Sequence, residues 1–200
     1  MKIVIATKNA GKLREFRRIL EPLGYEVVSQ KDVGVEGQAE ENGTTFSENA
    51  YKKAQYVFEQ TGEITLADDS GLCVDALDGR PGVYSARYGG PEANDGDRCR
   101  KLLDELKDVP DEKRTAHFAC AICVLFPDSR LEVLETCEGT VGRELSGESG
   151  FGYDPIFYVK GKSFAELDGA EKDRISHRGK ALRKMAEELK KRENQSHADK

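Results

Sequence analysis

Two adjacent acidic residues, Asp68 and Asp69, directly follow a short apolar run in this chain. The run begins at Ile64 and is typical of a buried strand, so we expect the acids at a strand end, where open α/β sheets bind ligands. Two neighbouring carboxylates repel each other unless a cation or a proton neutralises part of their charge. Mg²⁺ prefers carboxylate oxygens as ligands, and it usually also binds several waters and the phosphate groups of a substrate. The pair therefore indicates metal-assisted phosphate chemistry, with a solvated Asp-Ser-Gly turn as the alternative.

A second candidate site is the segment 7–12, which joins a predicted first strand to a predicted first helix. A helix N-terminus presents free N–H groups to phosphate, and Lys8 and Lys12 add positive charge beside Thr7 and Asn9. The segment is not a Walker A loop, because a single glycine precedes Lys12 and a leucine follows it. A solvated turn between strand and helix is the alternative.

Charged residues also surround the predicted start of the second helix, where Thr45-Phe-Ser-Glu48 matches a capping box. Glu40 or Glu41 could reach a metal ion, or both could merely favour the helix N-terminus electrostatically. Lys53 lies four residues after Asn49, so these two side chains share one helix face.

Two later segments have residue types that suit a nucleobase. In Phe151-Gly-Tyr-Asp154 the aromatic rings could stack on a base and the carboxylate could accept from ring N–H groups, unless the rings simply enter the core. His177 and Arg178 open the last predicted helix, where a basic pair opposes the helix dipole. Such a local conflict is typical of functional sites.

The rest of the sequence predicts the elements that position these residues. Strands are expected at about 2–6, 25–28, 64–67, 72–76, 114–126, 131–141 and 155–159, and helices at about 11–20, from 45, 95–106 and 176–191. Pro127-Asp-Ser129 predicts a hairpin, so part of the sheet is antiparallel. The order of elements predicts an α/β domain with a mixed sheet, followed by a polar, frayed tail after residue 193.

Composition narrows the function classes. The 200 residues fit one domain with at most a modest second lobe, and the net charge of −6 disfavours a generic nucleic-acid-binding protein. No apolar run approaches the roughly 18 residues of a membrane span, and the start does not look like a signal peptide. The five cysteines are odd in number and scattered, which favours reduced thiols in a cytosol. Cys120 and Cys123 lie in an apolar run, so we assign them to the core.

Taken together, these segments resemble the inosine triphosphate pyrophosphatase family, enzymes that act on non-canonical purine nucleoside triphosphates (ITP, dITP and XTP). The resemblance covers Met1 to about Leu189. Its marks are Thr7-x-Asn9-x-x-Lys12, Glu41 with Phe46 and Asn49-Ala50, Ala67-Asp-Asp-Ser-Gly71, Pro81-Gly82 with Ser85-Ala-Arg87, Phe151-Gly-Tyr-Asp-Pro-Ile-Phe157 and Ile175-Ser-His-Arg178.

The resemblance implies an α/β fold with a long mixed sheet and flanking helices, whose two lobes enclose a central nucleotide cleft. It implies one domain over residues 1–193, a polar tail over 194–200, a homodimer, Mg²⁺ dependence, a cytoplasmic location, and no nucleic-acid or membrane partner.

The resemblance also implies site roles. Asp69 is the expected catalytic carboxylate and a metal ligand, Glu41 the second metal ligand, and Lys53 a phosphate-binding lysine. The expected triphosphate loop consists of Thr7, Lys8, Asn9, Ala10, Gly11 and Lys12. The other nucleotide-binding positions are Ser70, Phe151, Gly152, Tyr153, Asp154, Lys172, His177 and Arg178. The residues alone leave open whether Asp68 or Asp69 is the base, and the choice of Asp69 rests on the resemblance.

The expected reaction is hydrolysis of the triphosphate to a nucleoside monophosphate and pyrophosphate. A different Mg²⁺ phosphohydrolase with an aspartyl nucleophile is one alternative, but Asp68-Asp69-Ser70 does not supply the D-x-D-x-T pattern that it would need. A non-catalytic purine nucleotide sensor is the other alternative.

Overall fold

The computed structural model describes the backbone of residues 1–198 and the side chains of residues 1–195. Within this range the strands are β1 (Lys2–Ile5), β2 (Glu26–Ser29), β3 (Thr65–Val74), β4 (Thr115–Leu125), β5 (Arg130–Val141), β6 (Phe157–Val159) and β7 (Lys162–Ser163). The α-helices are α1 (Ala10–Leu20), α2 (Phe46–Thr61), α3 (Asp95–Glu105), α4 (Gly169–Ile175) and α5 (His177–Ala198). Short 3₁₀ helices lie at Glu21–Leu23, Asp75–Leu77, Gly82–Arg87, Asp111–Lys113, Asp154–Ile156 and Phe164–Glu166.

The described strands form one seven-stranded sheet in the order β2-β1-β3-β4-β5-β6-β7. β1 pairs in parallel with β2 and β3, whereas β6 pairs antiparallel with β5 and β7. The N–H of Phe126 donates to the carbonyl of Ser129 at 2.9 Å and closes the turn between β4 and β5. The mixed α/β sheet predicted from the sequence is therefore confirmed.

The chain divides into two compact units, which are Met1–Asp69 with Cys120–Glu135 and Arg178–Lys200, and Ser70–Ala119 with Thr136–His177. In the first unit, alternate residues of β1 and the residue that follows it enter two different cores. Ile3 and Ile5 pack in the core that contains α1 and α5 residues, whereas Val4 and Ala6 pack in the core that contains α2 residues. In the second unit, α3 contributes Leu102 to a core that includes β3, β4, β5 and β6 residues.

β3 corrects the prediction of two separate short strands, at 64–67 and 72–76, with Asp68 and Asp69 at the end of the first. It is one continuous strand of 10 residues, so both acids lie inside it rather than at its end. The pairing of β3 with β1 covers only Thr65 and Leu66, so the acids lie just past that pairing. Asp, Ser and Gly favour turns when they are solvated, but here tertiary burial overrides that local preference.

The C-terminal part of the chain differs from the prediction in two further respects. A helix that the sequence did not predict, α4, precedes Ser176, which lies in extended conformation between α4 and α5. α5 continues to Ala198 instead of ending near 191, since no proline or glycine stops it, and the last two residues of the predicted tail 194–200 lie outside the described range. None of the described helices is both long and apolar enough to cross a membrane.

The five cysteines are free thiols, and only Cys73 among them is not fully buried. Burial raises the pKa of Cys73, and raises the pKa of both Cys99 and Cys123 to about 12. The thiolate is the reactive form of cysteine, and burial raises the pKa of all three of these thiols, so solvent access should decide the order of modification.

We expect Ellman's reagent to label Cys73 first in the native protein, because it is the most accessible thiol, and to label all five thiols after unfolding without reductant. A Cys73→Ser variant is the control, and fewer than five thiols in the unfolded wild type would contradict the assignment.

Candidate functional site

Asp68 and Asp69 lie on opposite faces of β3, because successive side chains of a strand alternate between its faces. Leu66, two residues before Asp68, belongs to the core that includes α1 and α5 residues. Ala67, two residues before Asp69, belongs to the core that includes α2 residues. Both acids are buried, with 2% and 5% of their surface exposed. The two adjacent carboxylates therefore meet different partners.

Asp68 binds two cations through one oxygen. Its Oδ2 accepts from Lys12 Nζ at 3.0 Å and from Arg178 Nε and Nη2 at 3.2 and 3.0 Å. Burial alone would raise the pKa of the Asp68 carboxyl, but Lys12 and Arg178 hold it well below its ordinary value. The other oxygen, Oδ1, is buried without a hydrogen-bond partner among the described residues. An ionised carboxylate held in this way is a poor proton acceptor at neutral pH.

Arg178 was predicted to contact the base, and the structure places its guanidinium against two carboxylates. Besides Asp68, it donates from Nη1 to Glu15 Oε2 at 2.6 Å. These three charge-assisted bonds fix the plane of the guanidinium. Arg178 thus lies beside Lys12 of the predicted triphosphate loop, with which it shares Asp68, and base contact stays a prediction.

Asp69 lies in a different group, which centres on Lys53. Lys53 Nζ donates to Asp69 Oδ1 at 2.8 Å and to Glu41 Oε2 at 3.2 Å, and Asn49 Nδ2 donates to Asp69 Oδ2 at 3.2 Å. Burial raises the pKa of the Asp69 carboxyl above its ordinary value, although Lys53 opposes the shift. The structure thus brings Asp69, Glu41 and Lys53 together, whereas Glu40 is exposed. The pKa values of Asp68 and Asp69 are therefore shifted in opposite directions.

The loop between β1 and α1 has the predicted helix start. Asn9 caps α1, since its Oδ1 accepts from the N–H of Lys12 at 3.1 Å, and its own N–H donates to Thr7 Oγ1 at 3.1 Å. Lys8, Asn9 and Ala10 are exposed, and Gly11 is buried. The loop is ordered by its own side chains, and its contact with a triphosphate stays a prediction.

In the second unit, Phe151, Asp154 and Lys172 lie together. Asp154 Oδ2 accepts from the N–H of Phe151 at 2.9 Å and from Lys172 Nζ at 2.6 Å. Lys172 Nζ also lies 4.7 Å from the centroid of the Phe151 ring. Gly152 has a φ of 63°, a conformation that side chains rarely adopt. The segment therefore has a defined shape with an aromatic ring next to a cation.

Three other predicted positions are partly or fully buried. Tyr153 lies in the core and donates from its hydroxyl to the carbonyl of Ser85 at 2.8 Å. The His177 ring stacks on Phe118 with centroids 4.5 Å apart. Ser70 is half-buried in β3. Their contacts with a nucleotide stay predictions.

The sequence interpretation missed two side chains that hold the predicted site residues. Glu15 binds Arg178, and its position three residues after Lys12 on α1 could have indicated a shared face. Asp95 Oδ2 accepts from the N–H of Gly152 at 2.7 Å, a contact across 57 positions that no local pattern indicates.

Residues 3–188 match the family model of the Ham1 family. The chain belongs to the Ham1 family. A dITP/XTP pyrophosphatase of Desulforamulus reducens is 52% identical over 192 residues, which are 94% of this chain and 96% of that relative. The dITP/XTP pyrophosphatase of Bacillus subtilis is 49% identical over 189 residues, which are 93% of this chain and 96% of the relative. Of the solved structures, a HAM1 protein from Coxiella burnetii superposes with a TM-score of 0.86 at 42% identity, over 96% of this chain and 99% of that one. The predicted family is therefore confirmed, and so is the predicted α/β fold with a mixed sheet and flanking helices.

In this Ham1 chain, replacing Asp68 by Asn should destabilise the fold, because Lys12 and Arg178 would lose their shared buried anion. Removing one partner of a buried ion pair typically costs about 3–5 kcal/mol of unfolding free energy. Chemical denaturation at pH 7 measures this loss. The control is Asp111→Asn, which breaks the exposed pair of Asp111 with Arg143 and should cost far less. Equal losses in the two variants would contradict the assignment.

The ion pairs of Asp68 with Lys12 and Arg178 also predict the direction of a pH effect. Because the pKa of Asp68 is lower in the folded protein than its ordinary value of 3.8, the folded state binds fewer protons than the unfolded chain near that pH. The stabilisation by Asp68 is therefore present above pH 3.8 and is lost as the pH falls below it. The difference in unfolding free energy between wild type and Asp68→Asn should narrow in acid.

Proposed function

We propose that this chain hydrolyses dITP, ITP and XTP to the nucleoside monophosphate and pyrophosphate, and so removes them from the nucleotide pool. One observation carries the proposal, the convergence of Asp69 and Glu41 on Lys53 in a chain about half identical to dITP/XTP pyrophosphatases. Two carboxylates with a lysine between them suit a metal-bound polyphosphate.

Mg²⁺ is the ion that we propose for this group. Mg²⁺ is usually held by one or two carboxylates together with waters and substrate phosphates, rather than by an all-protein cage. Glu41 and Asp69 supply two carboxylates, both within ion-pair distance of Lys53 Nζ. The donor set therefore fits Mg²⁺, which when bound would neutralise charge on the phosphate oxygens.

The chain's own residues supply the other parts of the reaction. Asp69, with its raised pKa, accepts the proton of the attacking water as the water oxygen bonds to a phosphoryl centre and pyrophosphate leaves. Lys53 and Lys12 offset the negative charge that develops on the phosphate oxygens. The proposed purine site is the segment from Phe151 to Asp154, with Lys172, His177 and Arg178, as the resemblance to the family implies.

The resemblance to the family also leads us to propose that the protein is a homodimer and that it is located in the cytoplasm.

Product analysis tests the proposed reaction. Incubation with ITP and Mg²⁺ should give IMP and pyrophosphate in equal amounts. IDP with orthophosphate would instead indicate a different phosphohydrolase. Tight binding of ITP without turnover would indicate a nucleotide sensor.

Asp69→Asn should keep the fold and nucleotide binding but lose most turnover, because the change is nearly isosteric and deletes the proton acceptor. Losing a positioned base typically lowers a rate by ~10²–10⁴-fold. The measurement is kcat for ITP at saturating Mg²⁺. Turnover close to that of wild type would refute the role of Asp69.

Lys12→Ala should weaken the binding of ITP more than that of IMP, since the lysine lies at the start of α1 and is expected to contact the phosphate tail. Calorimetric titration of a catalytically inactive Asp69→Asn background gives both dissociation constants. The control is Lys2→Ala in the same background. This change removes a lysine at the start of β1 that pairs with Glu63. Equal weakening for ITP and IMP would mean that Lys12 does not bind the tail.

A further inference from the structure

One fully buried side chain, Asn49, connects Asp69 to the loop that follows Glu41. Its Nδ2 donates to Asp69 Oδ2 at 3.2 Å, and its Oδ1 accepts from the N–H of Gly43 at 2.8 Å. Asn49 has 0% of its surface exposed. A buried amide that donates to one group and accepts from another holds those two groups at a fixed distance from each other.

The loop can reach Asn49 only because residue 43 is glycine. A Cβ atom at this position would lie 2.6 Å from Asn49 Oδ1 and 2.9 Å from the Cβ of Glu48. Both distances are shorter than side-chain carbons adopt in proteins. The close approach of the loop backbone to α2 therefore depends on the absence of a side chain at Gly43.

α2 gives this contact a fixed frame. Thr45 and Glu48 form the capping box that begins the helix, and Glu48 Oε2 also accepts from the N–H of Thr44 at 2.7 Å. Asn49 and Lys53 lie one turn apart on the same helix face and each holds a different oxygen of Asp69. The carboxylate of Asp69 is thus held at both oxygens by one helix.

We propose that Asn49 is a positioning residue of the metal site, which holds the Asp69 carboxylate and the loop of Glu41 where one divalent ion can bind both. The inference rests on the proposed function in taking Glu41 and Asp69 as the metal ligands. Residues that hydrogen bond to metal ligands typically contribute 10–100-fold to metal affinity.

The test is titration of the nucleotide-free full chain with Mn²⁺, followed by the electron paramagnetic resonance signal of the free ion. Asn49→Leu removes both hydrogen bonds at similar volume, and Gly43→Ala displaces Asn49 without removing any polar group. Both variants should weaken Mn²⁺ binding by roughly 10–100-fold. The matched control is Asn42→Ala, since Asn42 lies in the same loop, is exposed, and accepts from Lys52 on α2. The control should bind Mn²⁺ as wild type does.

Circular dichroism and thermal unfolding show whether each variant is folded, and Gly43→Ala keeps the test available if Asn49→Leu does not fold. Wild-type Mn²⁺ affinity in a folded Asn49→Leu or Gly43→Ala variant would overturn the inference. An equal loss in Asn42→Ala would also overturn it, because the effect would then belong to the whole loop. The titration uses no nucleotide, so absence of pyrophosphate release by wild type would refute the proposed function and leave the Mn²⁺ result unaffected.

Discussion

Asp68 brings together, inside the first compact unit, cations from two helices that are far apart in the sequence. Lys12 belongs to α1 and Arg178 to α5, and both donate to the same buried carboxylate oxygen. A buried charge without a partner is costly, so each of the three side chains depends on the others for its burial. The interaction also explains how Arg178 is accommodated at the start of α5, where a helix dipole disfavours positive charge. Asp68 and Glu15 supply negative charge that offsets the guanidinium of Arg178 at that end.

The alternation of side chains along β3 then gives two neighbouring acids opposite properties. Asp68 has Lys12 and Arg178 against it, and its pKa is lowered. On the other face, Asp69 shares Lys53 with Glu41, and burial raises its pKa. One acid therefore pairs with two cations of the protein, and the other is the acid that we propose as metal ligand and proton acceptor. A one-residue shift in the register of β3 would exchange the two roles, which is why the pairing with β1 next to them matters.

The local parts of this site could be predicted from the sequence, because they depend on short-range patterns. The capping box at Thr45 and Glu48 is present as predicted, and the spacing of Asn49 and Lys53 correctly indicated a shared face. The turn between β4 and β5 also followed from local residue types.

The non-local parts could not be predicted in the same way. Arg178 reaches Asp68 across 110 positions, and no pattern within one element indicates such a contact. The continuity of β3 through Asp68 and Asp69 was missed for a related reason, since their burial depends on side chains supplied by α1, α2 and α5. The residues alone likewise left Glu40 and Glu41 as alternatives, and the contact of Glu41 with Lys53 exists only in the folded chain.

The most direct test of this division of roles is a crystal structure of the protein with Mg²⁺ and a non-hydrolysable dITP analogue. We expect a metal ion about 2.0–2.1 Å from carboxylate oxygens of Glu41 and Asp69. We also expect Asp68 still to bind Lys12 and Arg178 in that complex. A metal ion coordinated by Asp68, with Lys12 or Arg178 displaced from it, would show that the roles of the two acids are assigned wrongly.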